Sequence, residues 1–124
     1  MTALANDLTS LGMAPALASR VGVSNQSLTG VGTAQGGSSP VVYGGTVNRL
    51  TTAGGATACT IDSAFPVGQT AIVQTISATT GLLFPPSGGK INNGSANASF
   101  SVAQNKTALI YRWSTVEFIV FLSA

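Results

Sequence analysis

Asp7, Asp62 and Glu117 are the only carboxylate side chains in a chain of 124 residues that contains no histidine. Acid–base work on a glycoside needs two carboxyl groups roughly 5 to 9.5 Å apart across a sugar. Asp62 ends one strand-like run and Glu117 opens another, so theirs is the pair the sequence offers for such chemistry. Each also has a simpler local role: Asp62 can start a turn with its side chain on the backbone, and Glu117 can be the solvent-facing member of a strand pair. The single cysteine, Cys59, sits in Thr57-Ala58-Cys59-Thr60-Ile61 with no basic neighbour in sequence, the setting of a small buried hydrophobe and not of an activated thiol. Zero His and one Cys exclude a Ser-His-Asp triad, a His/Cys zinc site and an intrachain disulfide. Gly30-Val31-Gly32-Thr33-Ala34-Gln35-Gly36 places its third Gly one residue late for a dinucleotide fingerprint and lacks the flanking strand and helix. Gly88-Gly89-Lys90 lacks the spacing and Ser/Thr of a phosphate loop and reads as a turn. The expectation is a protein that is not an enzyme, with no catalytic, cofactor-binding or metal-binding residue, no cofactor and no small-molecule substrate. Tyr43, Tyr111 and Trp113 remain as a possible aromatic shelf for a glycan. Tyr111 and Trp113, two apart in a strand-like run, lie on one face, where packing in a core or an interface is the alternative use.

Charge is scarce. Charged residues are 6% of the chain, with five Lys+Arg against three Asp+Glu, where soluble domains average roughly 25%. Polarity is carried instead by Ser, Thr, Asn and Gln. Five scattered cations make no basic footprint, so nucleic acid is not an expected partner. The longest clean apolar run, Phe118 to Leu122, is far shorter than the roughly 20 residues of a spanning helix. The opening MTALANDLTSLG has neither a basic nor a long apolar region, so neither membrane nor signal peptide is expected. Asn25, Asn93, Asn97 and Asn105 begin N-x-S/T triplets, which arise by composition in a chain this rich in Asn, Ser and Thr.

Three textures divide the chain. In residues 1–22, Leu4, Leu8 and Leu11 recur at helical spacing and stop at Gly12; Pro15 to Gly22 forms a second short helical pattern with Leu17 and Val21 four apart. Helices of one or two turns do not hold alone. They need a surface, either on this chain or on another protein. Residues 23–44 are rich in Gly, Ser, Thr, Asn and Gln without a sustained period and read as an extended arm or linker. Residues 45–124 read as all-β: short β-branched and aromatic runs separated by Gly, Pro, Asn and Ser turns. Ala108 to Trp113 and Val116 to Leu122 flank Ser114-Thr115 as an antiparallel hairpin. The fold class expected is mainly β, an antiparallel β-sandwich or barrel behind an N-terminal arm with two short helices.

Phe118 to Leu122 is apolar on both faces, and a domain of this size has little interior with which to cover two. One face then packs in the subunit and the other against a copy. Few charges defend the strand edges, which points the same way. The expectation is an oligomer whose interface uses Phe118, Val120 and Leu122.

The stretch Leu8-Thr-Ser-Leu-Gly-Met-Ala-Pro-Ala-Leu-Ala-Ser-Arg-Val-Gly22 resembles the opening of small virion proteins of tailed bacteriophages. The run from Ala58 through Pro86-Ser-Gly-Gly-Lys-Ile-Asn-Asn-Gly-Ser-Ala to Trp113 and Phe118-Ile-Val resembles the β-module of phage head decoration (cement) proteins and of some fibre proteins. Such modules often carry a charged D-G-T-x-W hairpin, where this chain has Tyr111-Arg-Trp-Ser-Thr. The resemblance implies a homotrimeric, non-enzymatic structural protein, assembled in the bacterial cytoplasm and bound to the outside of the capsid. Its partner would be the major capsid protein, with Leu4, Leu8, Leu11, Leu17 and Val21 as anchors. The alternatives are a short head or tail fibre or adaptor whose β-domain recognises a host surface glycan, and a small carbohydrate-active enzyme in which Asp62 and Glu117 converge.

Overall fold

A computed structural model describes residues 24–124, and the protein is mainly β. Ten strands form two sheets: β1 (Ser24–Thr29), β2 (Val41–Val42), β3 (Thr46–Thr51), β4 (Ala58–Ile61), β5 (Thr70–Thr75), β6 (Gly81–Phe84), β7 (Lys90–Ile91), β8 (Phe100–Val102), β9 (Thr107–Arg112) and β10 (Glu117–Leu122). The first sheet runs β1-β3-β5-β9-β10-β7 and the second β2-β4-β6-β8. The expected hairpin is present, with Phe118 opposite Arg112 and Val120 opposite Ile110. The expected anchor residues Leu4, Leu8, Leu11, Leu17 and Val21, like the two short helices, lie outside the described residues.

The winding is solenoid-like, which corrects the antiparallel sandwich or barrel. From β1 to β6 successive strands alternate between the sheets, and each of β3 to β6 lands parallel to the strand one coil earlier, while β7 joins the far edge of the first sheet beside β10. In the first sheet Ser24 lies opposite Thr46 and Val47 opposite Ile72, advances of 22 and 25 residues per coil. In the second, Val41 lies opposite Thr60 and Ala58 opposite Leu82. Only then does the chain reverse, laying β8 antiparallel on β6 and β9 antiparallel on β5. Gly, Pro and Asn mark where a strand ends. They do not say whether the chain folds back beside itself or crosses to a facing sheet, and short crossings between two sheets permit parallel pairing without helices.

Residues 24–29 and 41–42, within the stretch expected to be an arm or linker, are strands of the first coil. Leu28 and Val42 belong to the core, together with Leu50, Ile61, Phe65, Val73, Leu83, Ile110, Phe118 and Val120. The intervening loop folds over β4: Gly36 N donates to Thr60 Oγ1 (2.9 Å), and the Ser39 and Thr60 hydroxyls share a hydrogen bond of 2.7 Å. That cover explains why all four residues of β4 are buried. Coil contact is tight at Gly30, where a Cβ would lie 2.6 Å from the Ala56 carbonyl oxygen. Only glycine fits there.

Asparagine has a structural use. Asn92, Asn93, Asn97 and Asn105 all adopt positive φ, between 51° and 65°, in the left-handed region that Asn tolerates better than other side chains. Three of them begin N-x-S/T triplets, so turn geometry accounts for those asparagines. Asn97 also closes the long loop before β8, its Oδ1 accepting from Gly88 N (2.6 Å) and from Gln35 Nε2 (3.1 Å).

Candidate binding face and aromatic cleft

Strand alternation and register together build a surface. The pleat that turns Leu50, Val73, Ile110 and Val120 into the core turns Val47, Ile72, Leu109 and Phe121 outward. Register lines these four up across β3, β5, β9 and β10: Val47 faces Ile72, Ile72 faces Leu109, and Leu109 faces Phe121. Phe121 is 59% exposed and Leu109 also lies open to solvent. The next row pairs Thr70 with Tyr111 and Tyr111 with Ile119. On the other side Ser27, Arg49, Gln74 and Thr107 form a polar row. The result is an apolar and aromatic patch on a solvent-facing sheet, bounded by hydrophilic residues. Such a patch on a small protein marks an interaction surface more often than a chance exposure.

This assigns the faces of β10 differently from the sequence. Phe118, expected at the trimer interface, is fully buried, and Val120 is buried beside it. Both belong to the subunit's own core, and Leu122 is exposed at the strand end. The outward pair is Ile119 and Phe121. The parity follows from Phe118 packing edge-on against Phe65, ring centres 6.0 Å apart and planes at 82°, which fixes every second residue inward.

Arg112 holds the end of the hairpin. Its side chain is buried with the guanidinium 5.1 Å from the Phe118 ring centre. No salt bridge to a carboxylate is needed to satisfy it. It donates to the carbonyls of Ser63 (3.0 Å), Phe65, Ser114 (3.1 Å) and Thr115, so the loop after β4 and the 113–116 turn are tied to one group. The turn closes further through Trp113 N and Ser114 N, both donating to Glu117 O (3.0 and 3.2 Å).

Trp113 stands on this fixed turn, 64% exposed. Beside it is a cleft of about 420 Å³ lined by Asn92, Asn93, Trp113, Glu117 and Ile119. Glu117 Oε1 accepts from Asn93 N at 2.6 Å, so the carboxylate is fixed in the wall and does not swing freely in solvent. Asn92 spends its carboxamide on β10, donating to Val120 O (3.0 Å) and accepting from Val120 N (2.9 Å). Tyr111 faces outward with Trp113 but sits half-buried between the cleft and the apolar row.

The two carboxylates with possible joint chemistry line different hollows. Asp62 borders one of about 290 Å³ with Gly36, Ser39, Thr60 and Pro86, while Glu117 borders the Trp113 cleft. Asp62 N donates to Val42 O (2.9 Å), and its carbonyl accepts from Phe65 N (3.1 Å), forming a turn after β4. Asp7 lies outside the described residues. Cys59 is fully buried, and desolvation pushes its thiol up from the ordinary 9.0 to about 12. Among the described residues no group of three or more His, Cys, Asp or Glu side chains gathers. Sequence reading missed Arg112, which looks like an ordinary turn cation until its carbonyl partners are known. It also missed Asn93, whose role depends on Glu117, 24 residues away. No family model matches the sequence, and no curated protein or solved structure matches it significantly.

Proposed function

We propose that this protein is a non-enzymatic structural subunit that assembles with copies of itself, as a homotrimer, to coat a larger particle. The resemblance of its sequence to phage decoration proteins makes the outer surface of a bacteriophage capsid that particle and the major capsid protein its partner. The observation that carries the proposal is the outward row Val47, Ile72, Leu109 and Phe121, flanked by Tyr111 and Ile119. An uncharged apolar row across four strands suits burial against other copies, and in a homotrimer the three subunits can turn this row toward a common threefold axis. The chain's few charges leave little like-charge repulsion to oppose that contact. Residues 1–22, with Leu4, Leu8, Leu11, Leu17 and Val21, supply the capsid anchor, and three anchors on one trimer reinforce each other through effective concentration.

Light scattering on the full-length protein tests the assembly step. The expected mass is three times the 12.3 kDa of the chain, falling to one chain in Phe121→Asp or Leu109→Asp. A monomer at micromolar concentration in the unaltered protein would overturn the proposal.

A further inference from the structure

We infer that the cleft at the 113–117 turn binds a neutral pyranose glycan, with the Trp113 ring as stacking platform and Glu117 and Asn93 as hydroxyl partners. The inference goes beyond the coat-protein proposal and does not depend on it. The cleft lies at the turn end of the hairpin, and Leu109 is four residues from Trp113 along the chain, roughly 13 Å at strand rise.

The residue types and their fixation point to a sugar. A pyranose offers one flat face of C–H groups and a rim of hydroxyls, so its receptor needs an exposed aromatic plane beside fixed polar groups. Trp113 supplies the plane, and its turn is held in place by Arg112 and by two backbone hydrogen bonds to Glu117 O. Ordering such a ring on binding costs little entropy, since the backbone beneath it is already fixed. Among the described residues Glu117 is engaged only through Oε1, on Asn93 N, which leaves Oε2 as a charged acceptor for a hydroxyl, a strong kind of hydrogen bond. Asn93 is set at φ 58° by the same contact, and its exposed carboxamide can both donate and accept. Ile119 completes an apolar wall. The hollow of about 420 Å³ is shallow and open to solvent, so it takes one face of a ligand and does not enclose it. Among the described residues the Glu117 carboxylate is the only charged group lining the cleft, and it favours neutral sugars over anionic ones. Lys90, opposite Glu117 on β7, does not line the cleft.

The chain has one tryptophan, so fluorescence excited at the red edge, beyond tyrosine absorption, reports this site alone. The experiment titrates the full-length protein with cellotetraose, maltotetraose and chitotetraose, following Trp113 emission. The expected result is a saturable change with at least one of them, with a dissociation constant on the order of 1 mM or tighter. Glu117→Gln keeps an oxygen for Asn93 N–H but removes the charged acceptor, and should weaken that binding roughly tenfold. Trp113→Ala should abolish it by calorimetry while the far-ultraviolet circular dichroism stays unchanged. No saturable change with any of the three sugars would overturn the inference, as would a change that Glu117→Gln leaves intact. A monomeric mass by light scattering would sink the coat-protein proposal and leave this one standing.

Discussion

Cys59 shows how much a single position owes to its surroundings. Its neighbours in sequence are small and uncharged, and the fold adds complete burial, which raises the thiol to about 12. Because the folded pKa lies above the unfolded one, the folded state keeps a proton that the unfolded chain gives up. The associated stability is complete below about pH 9 and is lost as pH rises toward 12. The unfolding free energy of the unaltered protein, from urea titrations, should therefore fall more steeply over that window than that of Cys59→Ala, by up to about 1.4 kcal/mol per pH unit. Equal slopes would show that the thiol ionises freely in the fold. At neutral pH an aromatic disulfide reagent should leave Cys59 untouched until denaturant is added. Gly30 is a second position where one atom decides: Gly30→Ala drives a methyl into the Ala56 carbonyl. That should cost about 1–3 kcal/mol in urea unfolding. A neutral effect would mean that the two coils are not in the close contact described.

Elements in this fold are joined by a few groups, and Arg112 is the clearest. One guanidinium ties the loop after β4 to the hairpin turn through four carbonyls while covering the Phe118 ring. Lysine keeps the charge but not the planar fork. Arg112→Lys should destabilise by about 3 kcal/mol because buried carbonyls lose their donors; a loss below half that would mean water replaces the fork. The first coil is the other junction. Removing residues 1–22 keeps β1 and all the core residues named above in the chain and should leave a cooperative thermal transition. Removal through residue 44 takes β1, β2, Leu28 and Val42 with it and exposes new edges on β3 and β4. Scanning calorimetry should then show a markedly lower or absent transition. Equal transitions for the two truncations would make the first coil dispensable, as an arm would be.

At the scale of the whole molecule, the proposal is an assembly held by one sheet face and anchored by the N-terminal residues. Phe121→Asp tests the face and deletion of 1–22 tests the anchor, and the two should fail differently. The first should give monomers, whereas the second should give trimers that no longer coat empty capsids in co-sedimentation. Particles carrying the protein should release DNA at a higher temperature than bare ones, since a ligand that binds only the assembled shell stabilises it by mass action. Identical release curves would remove the stabilising role.

Composition and pattern alone were enough for the β character, for the hairpin from Ala108 to Leu122, for Cys59 as a core residue and for the two-sided apolar nature of β10. These are local properties: alternation, β-branching and turn residues act within a few positions. The same sequence was silent on the parallel winding, because strand lengths and turn types do not encode which sheet a strand joins. It misread residues 23–44, where Gly, Ser and Thr look like linker, yet coil stacking needs only Leu28 and Val42 from them to build a layer of core. It named Phe118, Val120 and Leu122 for the interface when Ile119 and Phe121 point outward, since a strand apolar on both sides hides its parity until Phe65 arrives to claim one face. The cleft was half legible: Trp113 and Glu117 stood out by type. Asn93 and the guanidinium that fixes the turn became visible only when residues 24 to 49 positions apart in the chain were brought within hydrogen-bond reach.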